Sequence, residues 1–181
     1  WDASVEQCAS FADATGLDEA TKAYWNTILK PALQVDIPEA LLQDIICAGQ
    51  VHCLMTARNE AQALRVAPWC GADRYGPLES ESQAIIHGMS LMGHREFARR
   101  SLDYFIERYN RDGLLTTGYT LMGVGWHLWT LADHYALYRD KAWLEETAPR
   151  IEKACRWIVS ECEKTKRMNP DGTKPFEYGL V

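Results

Sequence analysis

One stretch of the chain gathers side chains suited to recognising hydroxyl groups. It covers residues 68 to 82 and reads Pro-Trp-Cys-Gly-Ala-Asp-Arg-Tyr-Gly-Pro-Leu-Glu-Ser-Glu-Ser. Its candidate ligand-binding residues are Trp69, Asp73, Arg74, Tyr75 and Glu79. A carboxylate accepts hydrogen bonds from two hydroxyls, a guanidinium donates in a fixed fork, and an aromatic face packs against C–H groups. Alternatively, Asp73 and Arg74 are solvated loop charges, and Glu79 and Glu81 only favour a helix N-terminus.

A second candidate set opens an apolar helix further along the chain. Trp126 and His127 are adjacent, and Trp129 follows one turn later. Their rings offer stacking faces for a ligand at the same end of the fold as the 68–82 loop. The alternative is a role in the hydrophobic core, because tryptophan is usually well buried.

Other classes of site find no support in the sequence. The net charge of −6 argues against a nucleic-acid partner, since no basic excess exists to neutralise phosphates. Histidines recur seven residues apart, at His87 and His94 and again at His127 and His134, but no metal-binding motif accompanies them. The segment from Gly113 to Ala132 lacks charged residues, yet its glycines interrupt it, so we expect no membrane partner. We therefore expect no metal and no cofactor.

Helical periodicity dominates the chain and predicts an all-α fold. A first helix is expected from Leu17 to Lys30, ended by Pro31, within an N-terminal linker segment of residues 1–37. A second helix is expected from Pro38 to about Leu64, opening a larger domain of residues 38–181. The prolines and glycines of the following loop, Val66 to Pro77, exclude a helix there.

Two helical hairpins follow, and they resemble each other. The predicted helices are Glu79–Met92 and Glu96–Tyr109 in the first hairpin, and Leu121–Tyr138 and Trp143–Cys162 in the second. Gly93 and Arg139 fall at matching breaks, which by subtraction (139 − 93) gives a period of 46 residues. The helix from Leu121 is apolar on nearly every side, so we expect it to be buried all round, whereas its successor is amphipathic. An inner and an outer helix of this kind are the arrangement of an α/α toroid.

Several of these segments resemble the six-hairpin (α/α)6-toroid glycosidase superfamily, which includes glucoamylase-like, rhamnosidase-like and cellobiose-phosphorylase-like enzymes. The similarity covers roughly Tyr24 to Val181. It is carried by GHREFARRSLDYF from Gly93, GWHLWTLADHYALYRDKAWL from Gly125 and IEKACRWI from Ile151. The entry segment, with Tyr24-Trp25 and then DIPEALL from Asp36, is similar as well. Only about three of the six hairpins are present.

The resemblance implies that residues 38–181 are part of a toroidal catalytic domain that hydrolyses a glycosidic bond with inversion. It implies that Trp69, Asp73 and Arg74 bind sugar hydroxyls and that Glu177 is the candidate general acid. Glycoside cleavage needs two carboxyl groups, and we expect the second outside this chain, so that this segment alone is inactive. Alternatively, Glu177 is only a surface residue.

Two other functions remain open at this stage. In the first, the chain is a non-catalytic α-solenoid binding module. In the second, it is part of a glycoside phosphorylase. In each case the expected partner is an oligosaccharide or glycoside. A partial ring would leave apolar edges exposed, so self-association is a further expectation.

Overall fold

The structure is a computed structural model that describes residues 14–71, 73–118 and 122–181. Residues 1–13 of the predicted linker segment and Leu121, the predicted start of an inner helix, lie outside the described residues. The chain divides into two compact units, one ending at Val51 and the other running from His52 to Val181. Helices dominate the described residues, which confirms the predicted all-α class, and the sole sheet among them is a small hairpin.

The first unit contains helix α1 (Ala14–Leu29) and most of helix α2 (Ala40–Thr56). Helix α1 ends just before Pro31, close to the predicted boundary. The side-chain amide of Gln34 closes that end, since its Nε2 donates to the carbonyl oxygens of Leu29 at 3.1 Å and Ala32 at 3.0 Å. These bonds satisfy carbonyls that have no partner within the helix.

Helix α2 is shorter than the sequence predicts, because an antiparallel hairpin replaces its last turns. Strand β1 (Arg58–Glu60) pairs with strand β2 (Arg65–Ala67). The reversal places Ala61, Gln62 and Ala63 at positive φ angles between 49° and 67°. Val66 and Ala67 are buried in β2, which packs against a later helix, so tertiary burial overrides the helical propensity of this segment.

The second unit is built on the two predicted helical hairpins. Helices α3 (Glu79–Leu91) and α4 (Arg95–Ile106) form the first, and helices α5 (Gly123–Tyr138) and α6 (Lys141–Lys164) form the second. Gly93 and Arg139 both adopt left-handed backbone conformations, with φ of 86° and 54°. The sequence repeat of 46 residues is therefore also a repeat of turn geometry and of the starts of the second helices, since α4 and α6 begin at residues 95 and 141.

Helices α3 and α5 lie side by side and run in the same direction. Near their first residues, Gly123 lies against the side chain of Glu79. Near their last turns, the Tyr138 hydroxyl donates to the carbonyl oxygen of Ser90 at 2.6 Å, and Ser90 Oγ lies 3.0 Å from His134 Nδ1. The loops that precede α3 and α5 are therefore brought to the same end of the unit.

The outer pair, α4 and α6, is joined by polar contacts. Arg95 forms an ion pair with Asp140, which also caps α6 by accepting from the Trp143 N–H. The buried Trp143 donates its indole N–H to Asp103 at 2.9 Å. Asp103 is itself partly buried, and burial raises the pKa of its carboxyl despite the Trp143 hydrogen bond.

The core of the second unit lies between its four helices. Its fully enclosed side chains include Ile86, Leu102, Phe105, Leu115, Val124 and Trp143. Contrary to the sequence prediction, α5 is not buried on all sides, because its neighbours cover one half of its circumference. Met122 is 62% exposed just before the helix, and Trp129 is 42% exposed on it. No helix among the described residues is long and apolar enough to cross a membrane.

Candidate functional site

The loop before α3 is held in place around Trp69. The Arg58 guanidinium stacks over the Trp69 ring at 3.5 Å, and Gly76 lies beside the ring, so that a Cβ there would be in ordinary van der Waals contact with it. The backbone N–H groups of Cys70 and Gly71 both donate to the carbonyl oxygen of Tyr75 at 3.2 Å. Trp69 thus organises this loop and is only partly accessible to a ligand.

Three of the predicted binding residues project from this loop into solvent. Asp73, Arg74 and Tyr75 are all exposed, and Tyr75 retains 66% of its surface. Within the described part of the chain, the side chains of Asp73 and Arg74 make no hydrogen bond or ion pair. A carboxylate and a guanidinium on adjacent residues are therefore available to an external polar ligand.

Glu79 points inward instead and joins the two loops. It is only 1% exposed, and its carboxylate accepts from the backbone N–H of Thr117 at 2.5 Å and from the Thr117 hydroxyl at 2.6 Å. Burial raises its pKa, but the hydrogen bonds from Thr117 outweigh burial, so the pKa of Glu79 is lower than usual. In this arrangement Glu79 positions the loop before α5 and does not face a ligand.

His127 is enclosed in the core. It has no exposed surface, and its ring lies 5.4 Å from that of Tyr109 and 5.8 Å from that of Phe105. Burial lowers the pKa of His127 to about 3, so the imidazole is neutral. Of the two interpretations that the sequence left open for this residue, its placement favours the core.

Trp126, by contrast, opens onto an apolar pocket of about 440 Å³ at the start of α5. The pocket is lined by Met122, Val124, Gly125, Trp126, Trp129, Trp157, Ile158 and Val181. The Trp126 and Trp129 rings meet edge to face at 5.5 Å and are 38% and 42% exposed. Rings of this size, rigid and half accessible, can stack on an apolar ligand face. Trp157 comes from α6 and was not singled out by the sequence.

Beside the pocket lies a polar pair that the sequence analysis missed. His87 Nε2 on α3 is 3.2 Å from Asp133 Oδ2 on α5, and the His87 ring lies 4.4 Å from the Trp129 ring. Both side chains keep part of their surface accessible. The two residues are 46 positions apart (133 − 87), so they occupy equivalent positions of the repeat. That equivalence is the sequence feature from which the pair could have been predicted. Together they offer a donor and an acceptor next to an aromatic face.

Glu177 lies on the segment that follows α6. Its side chain is exposed and makes no hydrogen bond or ion pair with any described residue. The segment turns back at the end of α6, where the Thr165 hydroxyl donates to the carbonyl oxygen of Leu180, and Val181 lines the pocket. Four residues span at most about 14 Å, so the Cα of Glu177 lies within that distance of the Cα of Val181. Among the described residues, no hydrogen bond or ion pair joins the Glu177 side chain to the 68–82 loop.

The pocket, its neighbouring polar pair and the exposed loop residues together offer apolar faces and hydrogen-bonding groups. An aromatic pocket, the His87–Asp133 pair and the exposed loop residues suit a ligand with apolar faces and hydroxyls. The residues lining the pocket include no carboxylate, and no group of three potential metal ligands occurs in the described part of the chain. Comparison with protein-family models, curated proteins and solved structures gives no match to this chain.

Proposed function

We propose that this chain is the sugar-binding part of a carbohydrate-active protein of the six-hairpin (α/α)-toroid type. The observation that carries the proposal is the tryptophan pocket with the His87–Asp133 pair beside Trp129. The C–H faces of a pyranose ring stack on indole, while its hydroxyls need donors and acceptors at the edge of the ring. Asp73 and Arg74 supply further polar groups at the same end of the unit.

The hairpin arrangement supports the toroid part of the proposal. Two hairpins repeat every 46 residues, with α3 and α5 parallel and adjacent and with α4 and α6 joined beside them. A partial toroid consists of such hairpins in succession, with the loops before the parallel inner helices gathered at one end. The resemblance of residues 93–105 and 125–144 to six-hairpin glycosidases points the same way.

Hydrolysis of a glycosidic bond is the activity proposed for the whole protein. Inverting cleavage requires one protonated and one ionised carboxyl group about 6.5–9.5 Å apart. Glu177 is our candidate for the general acid, with its partner contributed from outside this chain. The absence of a carboxylate from the pocket lining favours, as a second candidate, a module that binds sugar without cleaving it.

Binding is tested by titrating the chain with gluco- and rhamno-oligosaccharides while following tryptophan fluorescence and calorimetric heat. We expect saturable binding that Trp126→Ala and Trp129→Ala each weaken by on the order of tenfold, the equivalent of one lost stacking contact. Trp25→Ala, in the other compact unit, is the matched control and should leave the affinity unchanged. No binding to any of these sugars, or equal losses in all three variants, would overturn the proposal.

Catalysis is tested separately, by measuring released reducing ends and consumed phosphate with the same oligosaccharides. Any hydrolysis by a longer form of the protein should be lost in Glu177→Gln and kept in Glu145→Gln, a control on the exposed face of α6. Consumption of phosphate would identify a phosphorylase. Sugar binding with no turnover in the longer protein would identify the non-catalytic module.

A further inference from the structure

The repeat of the two hairpins shows how one hairpin receives the next. In the first hairpin, Glu79 and Ser90 of α3 contact α5, while Phe105 of α4 and Tyr109, which follows α4, contact His127. Ile86 and Leu102, which are fully buried, complete the receiving groove between α3 and α4. Each of these positions has an equivalent 46 residues later in the second hairpin.

Those equivalent positions on α5 and α6 are here called the open edge. Adding 46 to each receiving position gives Gly125, Ala132, Ala136, Ala148, Ile151 and Cys155. All six are uncharged; Ile151 is half-buried and the other five are exposed. A Cβ added at Gly125 would meet no atom within 4 Å, whereas one at Gly123 would collide with Glu79. The second hairpin thus repeats the receiving positions of the first, and within the described part of the chain these positions remain largely exposed.

The lack of charge on the open edge contrasts with the rest of the exposed surface of α6. That helix carries ten charged residues between Lys141 and Lys164, none of them at Ala148, Ile151 or Cys155. A helix surface that is exposed only to solvent usually carries polar residues, so it would not require charged and uncharged positions to lie on separate sides. The pattern is that of a helix-packing surface.

What occupies the equivalent groove in the first hairpin indicates what the open edge would accept. The face of α5 that enters it consists of Val124, His127, Leu131 and His134, all buried, uncharged and spaced as one stripe of a helix. The open edge therefore fits a helix of similar length that presents one uncharged stripe.

Helix α2 presents such a stripe to solvent. Its exposed positions Leu41, Ile45, Ala48, His52 and Met55 recur at alternating spacings of four and three residues. Leu41, Ile45 and Met55 are 65%, 57% and 64% exposed, and Asp44 is the only charged residue in the helix. This spacing aligns the five residues along one side of the helix, as in helices that pack lengthwise on a partner.

We propose that α2 of one copy of the chain packs into the open edge of a second copy. The contact joins two different surfaces, so it is heterologous, and a pair of copies keeps one free α2 and one free edge. Copies would then add head to tail into a closed ring or an open chain. The inference rests on the repeat and on exposure and does not require the proposed sugar-binding function, although Gly125 belongs both to the open edge and to the tryptophan pocket.

The test uses light scattering coupled to size-exclusion chromatography over a range of protein concentrations. We expect the wild-type chain to form species at multiples of 20.6 kDa. Ala148→Arg, which places a charge on the open edge, should reduce these to monomer, and so should Ile45→Glu on α2. Ala142→Arg makes the same change at an exposed position of α6 outside the edge and should leave assembly unchanged.

Mixing the two assembly-deficient variants discriminates between this contact and others. The Ala148→Arg chain keeps an intact α2 and the Ile45→Glu chain keeps an intact edge, so the mixture should form a dimer of twice 20.6 kDa. Failure of the mixture to dimerise would overturn the proposal in favour of a symmetric contact. A wild-type chain that stays monomeric up to millimolar concentration, or assembly that survives Ala148→Arg, would also overturn it.

Discussion

Both carboxylate oxygens of Glu79 accept hydrogen bonds from Thr117, one from the backbone N–H and one from the hydroxyl. The two residues are 38 positions apart and connect the first turn of α3 to the loop before α5. Because Glu79 is almost fully buried, this contact holds together the end of the unit that carries the tryptophan pocket.

Glu79→Gln should therefore destabilise the fold. The neutral amide can keep its oxygen on the Thr117 N–H and donate to the Thr117 hydroxyl, but it lacks the negative charge that strengthens both hydrogen bonds. We expect a loss of about 1–3 kcal/mol in the free energy of unfolding, measured by urea denaturation at neutral pH. Glu81→Gln, an exposed residue on the same helix, is the control and should change stability by less than about 0.5 kcal/mol. Equal effects of the two substitutions would refute the role given to Glu79.

Substituting alanine for each of the two glycines at the start of α5 should change the free energy of unfolding in opposite directions. At Gly123 a new Cβ would lie 2.4 Å from Glu79 Cγ and 3.2 Å from the Leu115 carbonyl oxygen, so we expect Gly123→Ala to cost about 1–3 kcal/mol. At Gly125 the Cβ would meet nothing, and alanine should stabilise the helix by about 0.5–1 kcal/mol. Thermal unfolding of both variants measures the difference. A stabilised Gly123→Ala would show that α3 and α5 do not meet as described.

Acid should destabilise the second unit through its buried histidines. The pKa of His127 is lowered to about 3 by burial, and that of His134 to about 4 by burial and by the charges of Arg95 and Arg99. The unfolded chain takes up protons as the pH falls below about 6.5, whereas the folded chain does not, so unfolding becomes easier. Each histidine then contributes a loss of up to about 1.4 kcal/mol per pH unit between pH 6.5 and its folded pKa.

His127→Leu should flatten that pH dependence without lowering stability at neutral pH. Neither ring nitrogen of His127 has a hydrogen-bond partner among the described residues, so the substitution removes a buried polar group that contributes little. Urea denaturation at pH 7 and at about pH 4.5 gives the slope for the variant and the wild type. An unchanged slope in His127→Leu would exclude His127 as a source of acid sensitivity.

Pro149 interrupts the hydrogen bonding of α6 at an exposed position well inside the helix. A proline there leaves the carbonyl of Glu145 without its helical donor and crowds the preceding turn. Pro149→Ala should raise the free energy of unfolding by about 1–3 kcal/mol, less than the full helix-propensity difference because alanine also adds freedom to the unfolded chain. Thermal denaturation followed by circular dichroism measures this change. Ala142→Gly is the control, and it should lower the free energy of unfolding.

The parts of the fold that the sequence predicted are those governed by local rules. The repeat predicted the turns at Gly93 and Arg139. A residue that ends a helix in a left-handed conformation interrupts the regular spacing of apolar residues, and that interruption is visible in the sequence. The β1–β2 hairpin was missed because Val66 and Ala67 are strand residues only through their burial against α4. Local propensity contains no information on that burial.

The site was predicted in part, for a similar reason. Sequence pattern singled out Trp126 as a candidate stacking face, beside a possible role in the core, and Asp73 and Arg74 as candidate polar ligand groups, beside a role as solvated loop charges. It did not show that Glu79 turns inward to Thr117 or that His87 meets Asp133, because both contacts join residues about 40 positions apart. Which side of a helix meets its neighbour depends on packing, and only the 46-residue spacing gave an indication of it.

The short turns of the two hairpins have a consequence for how the chain folds. Helices α3 and α4 are separated by three residues, Met92 to His94, and α5 and α6 by two, Arg139 and Asp140. Closing such small loops costs little entropy, so each hairpin can form early from contacts that are local in the sequence. The slow event is then the docking of one finished hairpin on the other, which completes the bonds of Thr117 to Glu79 and of Tyr138 to Ser90. In a refolding experiment, helical signal should thus appear before the buried tryptophan Trp143 reaches its final environment.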